Sequence, residues 1–382
     1  MAKKHSTGGA RSAIELTRDL IRIETLNPPG NERRCAEHLG RILEGAGFSV
    51  TYHEFADSRT SLIARIGGDA DRPPLCFTGH IDTVPLGAMP WSVDPFAADS
   101  EAGKLYGRGA SDMKSGVAAF VVAMMQLAPK LERGPGVVLV ITAAEETGSE
   151  GAYHLAGLGN ELGQAGAIVV AEPTANYPFV GHKGALWLKA ETQGVTAHGS
   201  MPERGVNAVY KAARAICMLE KFKFDVTPHE VLGPPTINVG TVRGGMNVNS
   251  VPDRAEIGID IRTVPGQNHD TLRQCVDDYV GEEVKVSSIV DVGSVWTNPD
   301  DTWVQQVFEI MTPLLGEPME ARSASYFSDA AALKPAYGGA PTVVLGPGEP
   351  TMAHKTDEYC MLDRIDQAVE ANVLITKHWC KL

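Results

Sequence analysis

Between Arg11 and about Val180 the chain alternates stretches of helical period with short apolar runs, a pattern that predicts an α/β domain built on a largely parallel sheet. The runs Leu75–Thr78, Val137–Thr142 and Ala167–Ala171 predict buried strands, and Ser115–Leu131 predicts a helix. From about Phe179 to Asp291 the pattern changes. Leu186–Thr192, Thr236–Val242 and Ala255–Ile261 alternate as half-buried strands, while Gly205–Phe222 and Thr271–Val280 read as amphipathic helices, so an α+β insert with two helices on one sheet is expected. The α/β pattern then returns, with a helix over Trp303–Leu315, a strand over Thr342–Leu345 and a closing helix from Ile365 to about Trp379. The expected division is one mostly parallel-sheet domain in two parts, 1–178 and 292–382, interrupted by an α+β domain at 179–291. No internal repeat, low-complexity tract or heptad run breaks this scheme.

A length of 382 residues corresponds to about two to three domains, and 43% hydrophobic with 21% charged residues is an ordinary globular composition. The balance of 34 Lys and Arg against 47 Asp and Glu disfavours nucleic acid or an anionic membrane as partner and points to a small molecule. The acidity lies outside the insert, since 179–291 carries 12 basic and 14 acidic residues. The longest apolar stretch, Gly116–Met125, has 10 residues, far short of the ~20 that cross a bilayer. No continuous apolar segment follows the basic start before Arg18 and Asp19, so a secretory signal is not expected and a cytoplasmic address is. Six scattered cysteines without a C-x-x-C pair are expected as reduced, mostly buried thiols.

In open α/β sheets ligands bind beyond the carboxyl ends of the strands, and the residues found there are metal-ligand types. His80 and Asp82 follow the first buried run, Glu145 and Glu146 the second, Glu172 the third and His354 the last, while Asp112 precedes the Ser115 helix. A single histidine after a strand is usually structural, and adjacent glutamates are usually solvated. Acids and imidazoles delivered by five separate element ends point instead to a common centre. Mixed imidazole and carboxylate donors without thiolate suit Zn, Co or Mn. Asp82, two residues after His80, supplies an acceptor for the second nitrogen of a ligating imidazole. The Glu145–Glu146 pair allows one carboxylate on a metal and one on water.

The motifs GHIDTVP, GRGASDMKSG, EETGSEGA, EPT, GVTAHGSMPERGVNA, NVNSVPDRAE, DIRTVPG and LGPG-EPTM-AHKTDEY follow one another in this order. They resemble those of the co-catalytic metallo-amidohydrolase and metallopeptidase family of acetylornithine deacetylase, succinyl-diaminopimelate desuccinylase, the aminoacylases and glutamate carboxypeptidase, from about Ile14 to Ile375. The resemblance implies a di-metal catalytic domain with an inserted lid and dimerisation domain, two divalent cations, and hydrolysis of the amide bond of an N-acyl-L-amino acid by a small-molecule enzyme that forms a homodimer. By the same resemblance His80 and Glu172 are terminal ligands of one metal, Asp112 bridges, Glu146 and His354 complete the second, and Asp82 orients His80. Glu145 is implied as the general base, Asn249 and Arg262 as groups holding the substrate carboxylate or acyl part, and His198 as an imidazole given by the partner's lid. The Asp112–Met113 bond resembles one that is cis in this family.

Glu172-Pro173-Thr174, Gly181–Gly184 and Arg204–Ala208 are closest to the acetylornithine deacetylase pattern, with His182-Lys183 standing where the desuccinylase pattern has an Arg pair. Ser325–Ala330 departs from both, and this loop is expected to face the substrate. The alternatives within the family are a dipeptidase or carboxypeptidase, a desuccinylase and a deaminase; outside it stands a binder that has lost turnover. A nicotinamide or flavin enzyme would need G-x-G-x-x-G between a strand and a helix, and a serine hydrolase G-x-S-x-G; neither occurs.

Overall fold

A computed structural model describes residues 11–68 and 72–382; the start of the chain, on which the reading of no secretory signal rests, lies largely outside them. The chain forms two compact units, one of residues 11–180, 297–321 and 328–382, the other of 181–296 with 322–327. The short segment 322–327 therefore belongs with the inserted unit, although the sequence places it in the returning α/β part.

In the first unit Val137–Thr142, Leu75–His80, Ala167–Val170 and Thr342–Val344 lie side by side and parallel. All four are fully buried, as expected of apolar runs covered on both faces. The search for continuous apolar runs does not pick out Ser49–Ala56 and Arg59–Ile66, which pair with each other antiparallel and extend the sheet from Val137–Thr142. The mostly parallel α/β core expected from the sequence is thus present, with an antiparallel flank added. The helix Lys114–Leu131 is apolar around nearly its whole circumference because it packs between Ala13–Arg22, Leu362–Cys380 and the sheet. Phe77 and Phe120, both wholly buried, meet across that layer with ring centroids 6.0 Å apart.

The second unit is a four-stranded antiparallel sheet in the order Thr236–Gly244, Arg254–Thr263, Gly184–Gln193, Val284–Val292. Ala208–Leu219 and His269–Val280 cover one face, burying Leu186, Leu188, Ile257, Ile259, Leu219 and Val276. This is the α+β arrangement expected, with the edge strand Val284–Val292 added. The first helix starts later than its period suggests, because Asn207 caps it by accepting from the Tyr210 N–H at 3.1 Å while Val206 is held extended against Val195. Asn268 caps the second helix in the same way, accepting from the Thr271 N–H at 2.8 Å.

No described helix is long and apolar enough to cross a membrane. The six cysteines are unpaired, four of them buried, with Cys217 and Cys275 exposed.

Gly116 marks a close approach of helix to sheet, since a Cβ there would lie 2.2 Å from the carbonyl oxygen of Ala171. Gly116→Val is expected to destabilise the protein by about 1–3 kcal/mol through overpacking. Urea unfolding checks this as a lower midpoint at unchanged slope; an unmoved midpoint would contradict the packing.

Candidate metal centre

The four parallel strands end at one rim, and His80 is the last residue of Leu75–His80, only 1% exposed. Its Nδ1 lies 2.9 Å from the main-chain oxygen of Asp82 and 3.5 Å from that residue's carboxylate. The nearer acceptor is therefore the carbonyl, and Nε2 faces the acids. The Asp82 carboxylate is occupied elsewhere: it accepts from the Asn27 amide at 2.8 Å and from the main-chain N–H groups of Glu145 and Glu146 at 3.1 and 3.2 Å. One buried charge thereby fixes the turn that carries both glutamates.

Asp112 precedes the helix Lys114–Leu131, and the Asp112–Met113 peptide is cis. Its two oxygens face different imidazoles, Oδ1 at 3.1 Å from His80 Nε2 and Oδ2 at 3.4 Å from His354 Nε2. Glu172 Oε1 lies 3.8 Å from His80 Nε2, and Glu146 Oε2 lies 3.0 Å from His354 Nε2. The donor atoms of His80, Asp112 and Glu172 lie within 4.8 Å of one another, and so do those of Asp112, Glu146 and His354. Glu145 belongs to neither group. Its Oε2 is 4.0 Å from His80 Nε2, and its Oε1 is buried with no hydrogen-bond partner. Ala144 and His354 hold positive φ angles of 60° and 63°, left-handed conformations that non-glycine residues keep where the surroundings over-determine them.

Such crowding of carboxylates shifts every titration in the pocket. Burial pushes Glu145 and Glu172 well above the usual carboxylate range, with the charges of neighbouring acids adding to it. Burial alone would depress His80, but the Asp112 and Asp82 carboxylates and the charges of Glu172 and Glu145 raise it well above its ordinary value. Asp112 opposes its own burial by hydrogen bonding to His354 and His80 and stays below the usual range, and the same bonds, with Glu146, push His354 up to about 10. The pocket thus draws in positive charge. Buried oxygens without partners on Glu145 and Glu146, together with two N/O donor triads sharing one carboxylate, suit a pair of divalent cations.

His198, Asn249 and Arg262 lie in the second unit. His198 is exposed, its Nδ1 2.7 Å from the Ser200 hydroxyl, and it bridges to Ser250 beside the exposed Asn249. Arg262, half-buried on Arg254–Thr263, pairs through Nε with Asp260 at 3.0 Å, its guanidinium 6.0 Å from the centre of the Phe327 ring.

Three residues near the centre escaped the sequence reading. Asn27 holds Asp82, as given above. Asp329 is buried beside the parallel strands and hydrogen-bonded by the Thr142 hydroxyl; burial raises its carboxyl to about 6. It lies in the stretch Ser325–Ala330 expected to face the substrate, yet Ser328 and Asp329 are wholly inside the first unit's core. Glu358 follows His354 by four residues and is buried against the loop of Asp112. Its only signal was its place in the AHKTDEY motif.

The model of peptidase family M20/M25/M40 matches residues 76–378, and the chain belongs to that family. It is thereby a metallohydrolase of amide C–N bonds. A probable succinyl-diaminopimelate desuccinylase of Staphylococcus epidermidis is 31% identical, covering 92% of this chain and 93% of its own. An acetylornithine deacetylase of Proteus mirabilis is 29% identical over 96% of both chains. Among solved structures, an M20 family metallo-carboxypeptidase from Sulfolobus solfataricus shares the fold with a TM-score of 0.82 at 19% identity, covering 97% of this chain and 100% of its own.

Replacing Asp82 by Asn leaves one acceptor oxygen and turns an N–H toward amides that need an acceptor. Hydrogen bonds to a charged group contribute about 1.5–3 kcal/mol each, so Asp82→Asn is expected to cost at least about 2 kcal/mol. Denaturation in the presence of a chelator measures this apart from any cation.

Proposed function

We propose that this protein removes the acyl group from an N-acyl-L-amino acid, as an acetylornithine deacetylase-like amidohydrolase, with Glu145 as its general base. The observation that carries this reading is the pair of donor triads sharing Asp112, with Glu145 beside them and in neither. His80, Asp112 and Glu172 would hold one divalent cation and Asp112, Glu146 and His354 the other, with zinc the leading candidate and cobalt or manganese suited to the same donors. Cations bound there supply Lewis acidity, polarising the amide carbonyl and lowering the pKa of water.

The protein's own groups do the rest. Glu145 has a buried oxygen free to accept a proton, in surroundings that favour its protonated form. It takes a proton from the attacking water as the water oxygen bonds to the carbonyl carbon, and returns a proton to the amine nitrogen as the C–N bond breaks. A carboxylate and an amine are the products. Arg262 is always charged and offers two parallel donors to the substrate carboxylate, with Asn249 as a second polar contact. His198, exposed on its loop, is proposed to reach the reacting oxyanion from a second copy of the chain, so that the working form is a homodimer. A cytoplasmic address accords with six unpaired cysteines.

Amine release from N-acetyl, N-succinyl and N-aromatic-acyl L-amino acids and from dipeptides, with and without chelator, tests the reaction. Chelator-sensitive release from an N-acyl compound is expected; release from dipeptides alone would replace the deacylase by a peptidase. Glu145→Gln is expected to keep its metal content and lose at least about a hundredfold in kcat, within the range for a general base. Retention of more than about a tenth of the rate would remove that role. Arg262→Ala is expected to raise KM with metal content unchanged, and an unchanged KM would return Arg262 to a purely structural pairing with Asp260.

A further inference from the structure

The loop Gly107–Asp112 carries the carboxylate shared by both donor triads, and within it the Ala110 N–H donates to the Gly107 carbonyl at 3.0 Å. Gly107 and Gly109 hold positive φ angles of 151° and 88°, and a Cβ on Gly109 would meet Thr83 Cγ2 at 2.8 Å. Successive N–H groups of such a loop point inward and form a concave anion-binding nest. The anion in it is a side chain from 246 residues further along. Glu358, wholly buried, accepts at Oε1 from the N–H groups of Ser111 at 2.8 Å and Asp112 at 2.9 Å, and at Oε2 from the Gly109 N–H at 3.0 Å and the Arg108 guanidinium at 2.7 Å. The antiparallel pairing of Tyr359–Met361 with Lys104–Tyr106 brings the two segments together, and the Gly107 N–H donates to the Glu358 carbonyl at 2.9 Å.

Arg108 extends the same junction to two further loops. Its Nη2 donates to the carbonyl of Pro85, at 3.0 Å, in the loop that follows His80. Its Nη1 also reaches the carbonyl of Lys355, next to His354, at 3.3 Å, and its guanidinium lies 5.1 Å from the centre of the Trp91 ring. Ser111 adds a parallel tie, donating to the Tyr359 carbonyl at 2.6 Å and accepting from the Glu349 N–H at 2.9 Å. The loops that deliver His80, Asp112 and His354 are therefore joined through one ion pair that touches none of the three side chains. Glu145, Glu146 and Glu172 lie outside this junction; the first two are held by Asp82.

We propose that the Arg108–Glu358 pair is the positioning element of the metal centre, setting the shared Asp112 in register with His80 and His354 so that both cations are bound together. Neither residue meets a cation or substrate. A buried ion pair of this kind adds little stability over a matched apolar pair, whereas removal of one partner strands a charge. Its value lies in geometry: a carboxylate one methylene shorter cannot reach all four donors, and a lysine cannot span Pro85, Lys355 and Glu358 at once. The proposal rests on the reading of the two triads as cation sites.

The test uses full-length protein, with zinc content per chain measured by mass spectrometry at buffered free zinc and the melting of the chelated form measured alongside. Glu358→Asp keeps the charge, and the double variant Arg108→Met with Glu358→Gln removes both charges, so that no lone charge is buried. Positioning partners of metal ligands typically contribute 10–100-fold in affinity. Each variant is expected to bind both zinc ions at least about tenfold more weakly, in parallel, while Glu358→Asp without metal melts within a few degrees of the unaltered protein. The d–d absorption of the cobalt-loaded Glu358→Asp protein is expected to change as well, a readout that a purely structural role would leave alone. Unchanged zinc affinity and cobalt spectrum, loss of only one site, or failure of both variants to fold would overturn the proposal. Failure of the cation reading is distinguishable, because the unaltered protein itself would then not bind two zinc ions.

Discussion

Asp112 is the constraint on which the rest of the structure depends. Its carboxylate sits between two imidazoles, one oxygen toward each, and it belongs to both donor triads. With Glu145, Glu146 and Glu172 crowded around it, the pocket gathers like charges in a medium that solvates them poorly. Such a cluster is tolerated when positive charge is drawn into it, and imidazoles alone supply less than the acids demand. The fold around it consists of devices for holding those acids: a parallel sheet that aims four strand ends at one rim, a turn tied by Asp82, and a glycine-rich loop wrapped around Glu358.

The two structural layers of the site divide the work by chemistry. Groups at the rim keep free lone pairs, as in the unpartnered oxygens of Glu145 and Glu146, and these are the atoms that ligation and proton transfer require. Groups one step behind are fully engaged. Asp82 accepts three hydrogen bonds, Glu358 four, and both are wholly buried. A saturated carboxylate cannot act as a ligand, so its role is to make the ligands rigid.

Much of this was legible in the sequence, and the limit has a physical basis. Apolar runs locate the parallel strands because strands covered on both faces have no polar alternation to lose, and the residues just beyond them are the ones the structure gathers. The inserted sheet was legible through its alternation, as in Arg254–Thr263, where buried and half-buried positions follow each other. Ser49–Ala56 and the edge strand Val284–Val292 are more exposed and carry weaker apolar contrast, while Arg59–Ile66, although largely buried, is interrupted by Thr60, Ser61 and Arg65. Glu358 was illegible for another reason: a carboxylate whose partners are three main-chain amides and a guanidinium, 246 to 250 residues away, leaves no local spacing to read. The spacing of Asp82 to His80 was legible, but the hold of its carboxylate on the main-chain amides of the next loop was not.

Two cations sharing one carboxylate are the centre of the proposed chemistry. Anomalous diffraction at the zinc edge, from crystals of the zinc-loaded protein, tests it most directly. Two peaks are predicted, one among His80, Asp112 and Glu172 and the other among Asp112, Glu146 and His354. A single peak, or none in contact with Asp112, would contradict it.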